Sequence, residues 1–371
     1  MAARAAVQDS GEPPIEPRAA SELVGHEAEE AILESAFRGG RLAHAWLITG
    51  PPGVGKATLA YRFARFVLAK GGEDAMSLDL GLDPPGGLAV APESDAFRRV
   101  AASSHNNLRT IEFELNPNTG RPRTEIVVGQ IRRLIPFFGM TAAEPGARIA
   151  IIDAADDLNA NAANALLKIL EEPPEDGLLI LVSNQPGRLL PTIRSRCRPL
   201  QLRPLSDAAM SNFIENRLPD IECDECATLA RLAGSSPGRA LRLATGGGID
   251  LYGEMIGLLS RLPGPLDVLA LHGLGDRVAR RGQEDAYRIL IGFFVAWLAR
   301  LVRFASTRQA VTDLVAGESD TIHRLAAARP LDEWIGVWEK VSRFVARADE
   351  VNLDRKQVVL YVFSALDSAA R

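Results

Sequence analysis

The nine residues GPPGVGKAT at positions 50–58 constrain this chain more than any other stretch. They fit the pattern G-x-x-x-x-G-K, with Gly50, Gly55 and Lys56 in register. In such a loop, glycines let successive backbone N–H groups curl around phosphate oxygens, and the helix that follows adds the positive end of its dipole. The flanks supply that setting: residues 45–49 form a short apolar run that reads as a strand, and 57–69 carry a helical pattern. Strand, glycine loop and helix in that order open a doubly wound α/β sheet. Gly50, Pro51, Pro52, Gly53, Val54, Gly55, Lys56, Ala57 and Thr58 are therefore the candidate nucleotide-binding loop, with Lys56 expected to reach the outer phosphates.

Two positions of that machinery lack their functional group. The residue after the lysine is normally Ser or Thr, whose hydroxyl binds Mg²⁺; here it is Ala57. Thr58 follows, but one residue along a helix turns a side chain by about 100°, so it is not expected to substitute. Further on, "RIAIIDAADDL" at 148–158 is an apolar strand ending in an acid, the pattern that sets a carboxylate beside the phosphates. Asp153 has that place. The next position, which in ATPases of this kind carries the acid that polarises the attacking water, is Ala154. Asp156 and Asp157 are expected only to favour a helix N-terminus. The residues read as a phosphate site kept for shape and relieved of hydrolysis, with poor Mg²⁺ binding.

The rest of the chain divides around this loop. Residues 1–19 lack an apolar core and read as a flexible leader, and Glu22 to Phe37 is helical in pattern. Residues 20–203 alternate helical and strand-like runs, with strands expected at 108–113, 149–152 and 178–182 and a loop or insertion over 71–92. From 204 to 247 the pattern is a small helical stretch, and 248–371 read as an all-helical domain with a wide apolar stripe from Ile289 to Val302. The most apolar stretch, 289–299, is eleven residues between Arg288 and Arg300, short of the ~20 a membrane span needs. With 47 acidic against 42 basic residues the net charge is −5, so any nucleic-acid contact requires a local patch. Arg188, Arg194, Arg198 and Arg203 are candidates for one, or for a solvated basic face. Three cysteines cannot make a disulfide framework and fit a reducing, cytoplasmic setting. Cys223 and Cys226 leave a tetrahedral metal site half empty, and no zinc is expected.

"HAWLITGPPGVGKAT", "RIAIIDAADDLNANAANALLKILEEPPED", "LLPTIRSRC", "GSSPGRAL" and "NLDRKQVVL" occur in this order. Together they resemble the delta-prime subunits of the bacterial DNA polymerase III clamp loader, over residues 20 to 371. The resemblance implies a AAA+ P-loop module, a small lid and a helical collar through which five subunits form a ring. It also implies roles: Asn184 as the polar sensor of the outer phosphate, Arg239 in "SSPGRAL" as a second sensor, and Arg196 in "SRC" as an arginine finger offered to a neighbour's ATP. His26 sits where such modules pass near the adenine.

The implied function is a mostly non-hydrolysing ring member that binds ATP or ADP weakly or without hydrolysing it. Its implied partners are gamma/tau and delta subunits, and through the assembled loader the sliding clamp and primer–template DNA. A bound arginine finger stabilises transition-state charge in trans, so an inert subunit can complete a neighbour's site. Two alternatives stand beside this reading. One is an ATP-hydrolysing gamma/tau-type motor subunit, which Ala57 and Ala154 oppose. The other is a P-loop kinase acting on a small molecule, which the helical C-terminal third opposes.

Overall fold

The computed structural model describes residues 16–71, 87–114, 125–139, 146–219, 221–351 and 353–371, with Arg123 and Glu144 between them. The chain divides into two compact units, one running to Phe213 and including Ser235–Arg239, the other comprising Ile214–Gly234 and Ala240–Arg371. The stretch expected as a separate lid, 204–247, is thus shared between the two rather than forming a third.

The first unit opens with α1 (Glu27–Arg38), β1 (Ala45–Thr49) and α2 (Lys56–Gly71). It continues through α3 (Asp95–Ala101), β2 (Leu108–Ile111), α4 (Val128–Arg132), α5 (Leu134–Gly139) and β3 (Arg148–Asp153). Then come α6 (Ala160–Glu171), β4 (Gly177–Ser183), α7 (Pro191–Arg194) and β5 (Arg198–Gln201). The five strands form one parallel sheet in the order β2-β3-β4-β1-β5. Both faces of such a sheet are covered by helices, so its strands are continuously apolar. Alternation still sorts the side chains. Trp46, Ile48, Ile149, Ile151, Ile180 and Val182 join the core under α1 and α2. Ala45, Leu47, Ala150, Ile152, Leu179 and Leu181 join the opposite core, with Leu166, Ile169 and Leu170 of α6. The α/β P-loop fold expected from the sequence is the one observed, and the four expected strands fall within two residues of their ends. β5 was not expected, because "RPLQ" has neither the apolar run nor the β-branched residues of a strand; it forms as an edge strand on β1.

The helix expected over 22–37 begins five residues late. Gly25 takes φ +76° and lies against Leu205, and His26 is the residue before the first helical turn. The segment ahead of it is strapped to α2. Arg65, 1% exposed, donates to the carbonyls of Arg18 (3.0 Å) and Ala20 (2.5 Å). Arg62 donates to the Ser21 carbonyl and pairs with Glu30 at 2.5 Å. Of the expected leader, residues 1–15 lie outside the described residues; Arg18 and Ala19 are held in place rather than free. Most of the expected 71–92 loop also lies outside.

The remaining helices are α8 (Asp207–Arg217), α9 (Cys223–Ala233), α10 (Pro237–Thr245), α11 (Gly248–Leu259) and α12 (Val268–Ala279). They are followed by α13 (Glu284–Thr307), α14 (Glu318–Ala328), α15 (Leu331–Val351) and α16 (Arg355–Ala370). Among the described residues the second unit contains no strand. Its core gathers on α13, where Phe294 meets Phe363 of α16 at 4.9 Å and Phe293 meets Tyr252 of α11 at 5.0 Å. By length and composition alone α13 could cross a membrane, contrary to the eleven-residue estimate, because beyond Arg288 the helix runs on to Thr307 with Arg300 and Arg303 as its charged residues. Leu290, Phe294, Trp297, Leu298 and Leu301 are instead at most 1% exposed in the helical core. Arg300 joins a buried polar cluster with Tyr252 and Glu318, the latter fully buried; the Tyr252 hydroxyl donates to Glu318 Oε1 at 2.5 Å.

Candidate nucleotide-binding site

Three strands end together at one edge of the sheet. Thr49 of β1 lies opposite Ser183 of β4, and Asp153 of β3 opposite Val182, so Gly50, Asp153 and Asn184 emerge side by side. This is the carboxyl edge of a parallel sheet, where ligands bind in open α/β folds. The loop that follows β1 is tightly enclosed. At Gly50 (φ +151°) a Cβ would lie 2.6 Å from the Leu202 carbonyl oxygen, and at Gly53 (φ +79°) it would lie 2.7 Å from the Arg239 amide nitrogen. Both positions therefore demand glycine, for space and for φ. The Gly238 N–H donates to the Gly53 carbonyl at 2.8 Å, so "SSPGRAL" packs directly on the loop and brings Arg239 beside it.

Underneath, Val54 is buried and its carbonyl accepts from His26 Nε2 at 2.9 Å. His26 is itself only 2% exposed, so its place is in the loop's support. Pro51, Pro52 and Gly55 complete the turn, and α2 starts at Lys56, with Ala57 and Thr58 as its next residues. The Lys56 ammonium donates to the carbonyls of Gly50 (2.9 Å) and Pro51 (2.7 Å). Burial pulls its pKa down to about 8, against the opposing pull of Asp153 and Asp156.

The acidic side is equally perturbed. Burial pushes Asp153 up to about 6, helped by the Glu112 carboxylate at the end of β2 and opposed by Lys56. Ala154 is buried and adds no acid. Asp156 does not serve a helix N-terminus as expected. It lies in the short turn of 3₁₀ helix Ala155–Asp157, and α6 is capped instead by the Asn159 side chain on the Ala162 N–H. The Asp156 carboxylate accepts from the Ser183 hydroxyl (2.5 Å), the Asn184 N–H (2.5 Å) and the Gln185 N–H (3.1 Å). Asp157 is raised mainly by burial, with Arg188 nearby pulling the other way. Sequence reasoning missed the role of Asp156 because its partners lie 27 to 29 residues away, beyond any local spacing rule.

The structure thus gathers residues 50–58, Asp153, Asn184 and Arg239 on one edge of the first unit. Arg196 stands apart. It follows α7, donates to the Thr192 carbonyl at 3.0 Å and pairs with Glu171 of α6 at 2.8 Å. Arg194 and Arg203 are exposed, and Arg198 lies over the Trp46 ring at 4.7 Å. Cys223 and Cys226 fall in the first turn of α9.

The sequence profile of the family described as DNA polymerase III, delta subunit, matches residues 25–206. A DNA polymerase III subunit delta' from Pseudomonas aeruginosa is 38% identical over 272 residues, covering 72% of this chain and 75% of that protein. The subunit delta' of Bacillus subtilis is 34% identical over 203 residues, 54% of this chain and about half (53%) of its own length. A DNA polymerase III subunit gamma/tau from Mycobacterium bovis is 31% identical over 190 residues, 51% of this chain and 29% of that protein.

Proposed function

The chain belongs to the DNA polymerase III delta' family, and we propose that it is a clamp-loader ring member that keeps a phosphate-shaped loop without turning nucleotide over. In this reading it works in the cytoplasm beside gamma/tau and delta subunits, and through them on the sliding clamp and primed DNA. Its contribution to hydrolysis is Arg196, offered in trans to a neighbour's ATP, where a guanidinium stabilises the charge that develops on the transferred phosphoryl group.

The observation that carries the reading is an intact phosphate cradle in which both reactive positions are alanine. The loop N–H groups, the start of α2 and Lys56 suit the phosphates of ATP or ADP. Asn184 and Arg239 flank that place as the polar sensors. Without a hydroxyl at Ala57, Asp153 is left as the carboxylate donor for Mg²⁺, and burial already favours its protonated form. With Ala154 in place of an acid, nothing at that position can orient an attacking water. ATP binding and turnover by the purified chain, with and without Mg²⁺, test this directly. Binding without turnover, or no binding with Arg196-dependent ATPase in the assembled complex, agrees with it. Turnover above about 1 s⁻¹, ordinary for an enzyme, would favour the motor alternative.

A further inference from the structure

We propose that Asp156 is a positioning residue for the phosphate site: it ties the turn after Asp153 to the turn after β4 and so sets where the Asn184 side chain stands. This rests on the reading of the loop as a nucleotide site, and it adds a residue that neither the loop pattern nor the strand-end acid includes.

A parallel strand leaves backbone groups without partners where it ends. Where β4 quits the sheet after Ser183, the next backbone N–H groups have no ladder partner and need an acceptor. An ionised carboxylate accepts only, with room for about four donors. Asp156 fills three of those places with the Ser183 hydroxyl and the N–H groups of Asn184 and Gln185, two of them at 2.5 Å. Hydrogen bonds to a charged acceptor are short and roughly twice as strong as neutral ones. Bonding consecutive N–H groups fixes the peptide planes on both sides of the Asn184 Cα, and hence the direction in which its Cα–Cβ bond leaves the backbone. Among the described residues that side-chain amide makes no hydrogen bond within the chain. On its other side Asp156 is close enough to Lys56 to raise the lysine's proton affinity. One carboxylate therefore addresses both the cation that reaches the outer phosphates and the backbone that carries the sensor.

A merely structural role and a positioning role differ in what they do to discrimination between nucleotides. Loss of general stability weakens ATP and ADP binding together, whereas a misplaced Asn184 loses only contact with the outermost phosphate. The experiment measures affinities of the full chain for ATPγS and for ADP by calorimetry, for wild type, Asp156→Ala, Asp156→Asn, Asn184→Ala and the double variant Asp156→Ala/Asn184→Ala. Asp156→Asn keeps the shape and, with its amide oxygen in the Oδ2 place, both backbone bonds, its NH₂ group then donating to the Ser183 hydroxyl. Amide hydrogen exchange at Asn184 and Gln185, with melting midpoints, reports whether the variants fold.

The expected result for Asp156→Ala is faster exchange at those two amides and loss of about tenfold in the preference for ATPγS over ADP, the size of one hydrogen bond to a charged group, with most of both restored in Asp156→Asn. Asn184→Ala should show the same loss, with no further loss in the double variant. Equal weakening of both nucleotides, or additive effects, would overturn the positioning role while leaving the nucleotide site standing. If wild type binds neither nucleotide, the nucleotide reading itself fails, and the proposal falls with it.

Discussion

Lys56 and Arg196 are two cations of one α/β unit, in surroundings with little in common. Lys56 is 4% exposed, held by two loop carbonyls and drawn down to about 8 by burial, with a carboxyl near 6 beside it. Arg196 and its partner Glu171 are 36% and 50% exposed, and the pair sits on the surface. Burying a charge costs stability unless it is compensated, so a chain keeps such a site only where the geometry is worth holding. A half-exposed pair contributes about 0–1 kcal/mol at most and is readily exchanged for another partner. The first region is enclosed and lacks both reactive groups; the second is a cation held at the surface by Glu171 and the Thr192 carbonyl. That contrast is what a subunit acting on a neighbour would look like.

The largest effect expected from breaking the contrast is at Arg196. Arg196→Ala should lower the DNA- and clamp-stimulated ATPase of the assembled complex by at least ~10²-fold, below the roughly 10³–10⁵ that arginine fingers supply in GTPases. Its melting midpoint should hardly move, because only a surface pair is lost. Steady-state ATPase of reconstituted complexes checks this, and unchanged turnover would remove Arg196 from the neighbour's chemistry.

The next effect is smaller and lies in the loop. Asp153 has a folded pKa of about 6 against an ordinary 3.8, so its ionised form is disfavoured in the fold. Below pH 4 both folded and unfolded chains carry the proton and there is no penalty. Between about 4 and 6 the unfolded chain ionises first, and stability falls; above about 6 the penalty is complete. Asp153→Asn removes it and also forfeits the attraction to Lys56. The net gain should be about 1–2 kcal/mol at pH 7.5, shrinking to nothing at pH 4. Melting midpoints at the two pH values decide it, since a gain independent of pH would contradict burial as the cause.

Much of this was legible because the informative signals are local. The loop, β1, β3 and β4, and the helical run after 248 all follow from spacing within a dozen residues. Ala57 and Ala154 are visible as departures from a pattern that otherwise holds. What was not legible depends on pairing across the chain. Asp156 meets residues near 184, and Arg62 and Arg65 meet the segment around Arg18 to Ser21. β5 becomes a strand only because β1 is there to pair with it, and the start of α1 is set by Gly25 packing on Leu205. Burial, rather than composition, sets the pKa values of Lys56 and Asp153. The division into two units likewise reflects contacts that no break in composition announces.

The smallest expected effect is the most pointed. Ala154→Glu returns an acid to the position after Asp153 and should produce no measurable ATP hydrolysis by the isolated chain. The added carboxylate would stand next to one that burial already holds near 6, and two like charges side by side raise each other's proton affinity, which supplies a base but no metal ion for it to act beside. Ala57 would still offer no hydroxyl to a metal ion. Turnover of Ala154→Glu near 1 s⁻¹ would show that the loop had kept more of its chemistry than its residues indicate. The double variant Ala57→Thr/Ala154→Glu sharpens the comparison. If the backbone cradle has been retained for shape, restoring both groups together should yield hydrolysis that neither yields alone, a non-additivity expected of groups that act as one unit.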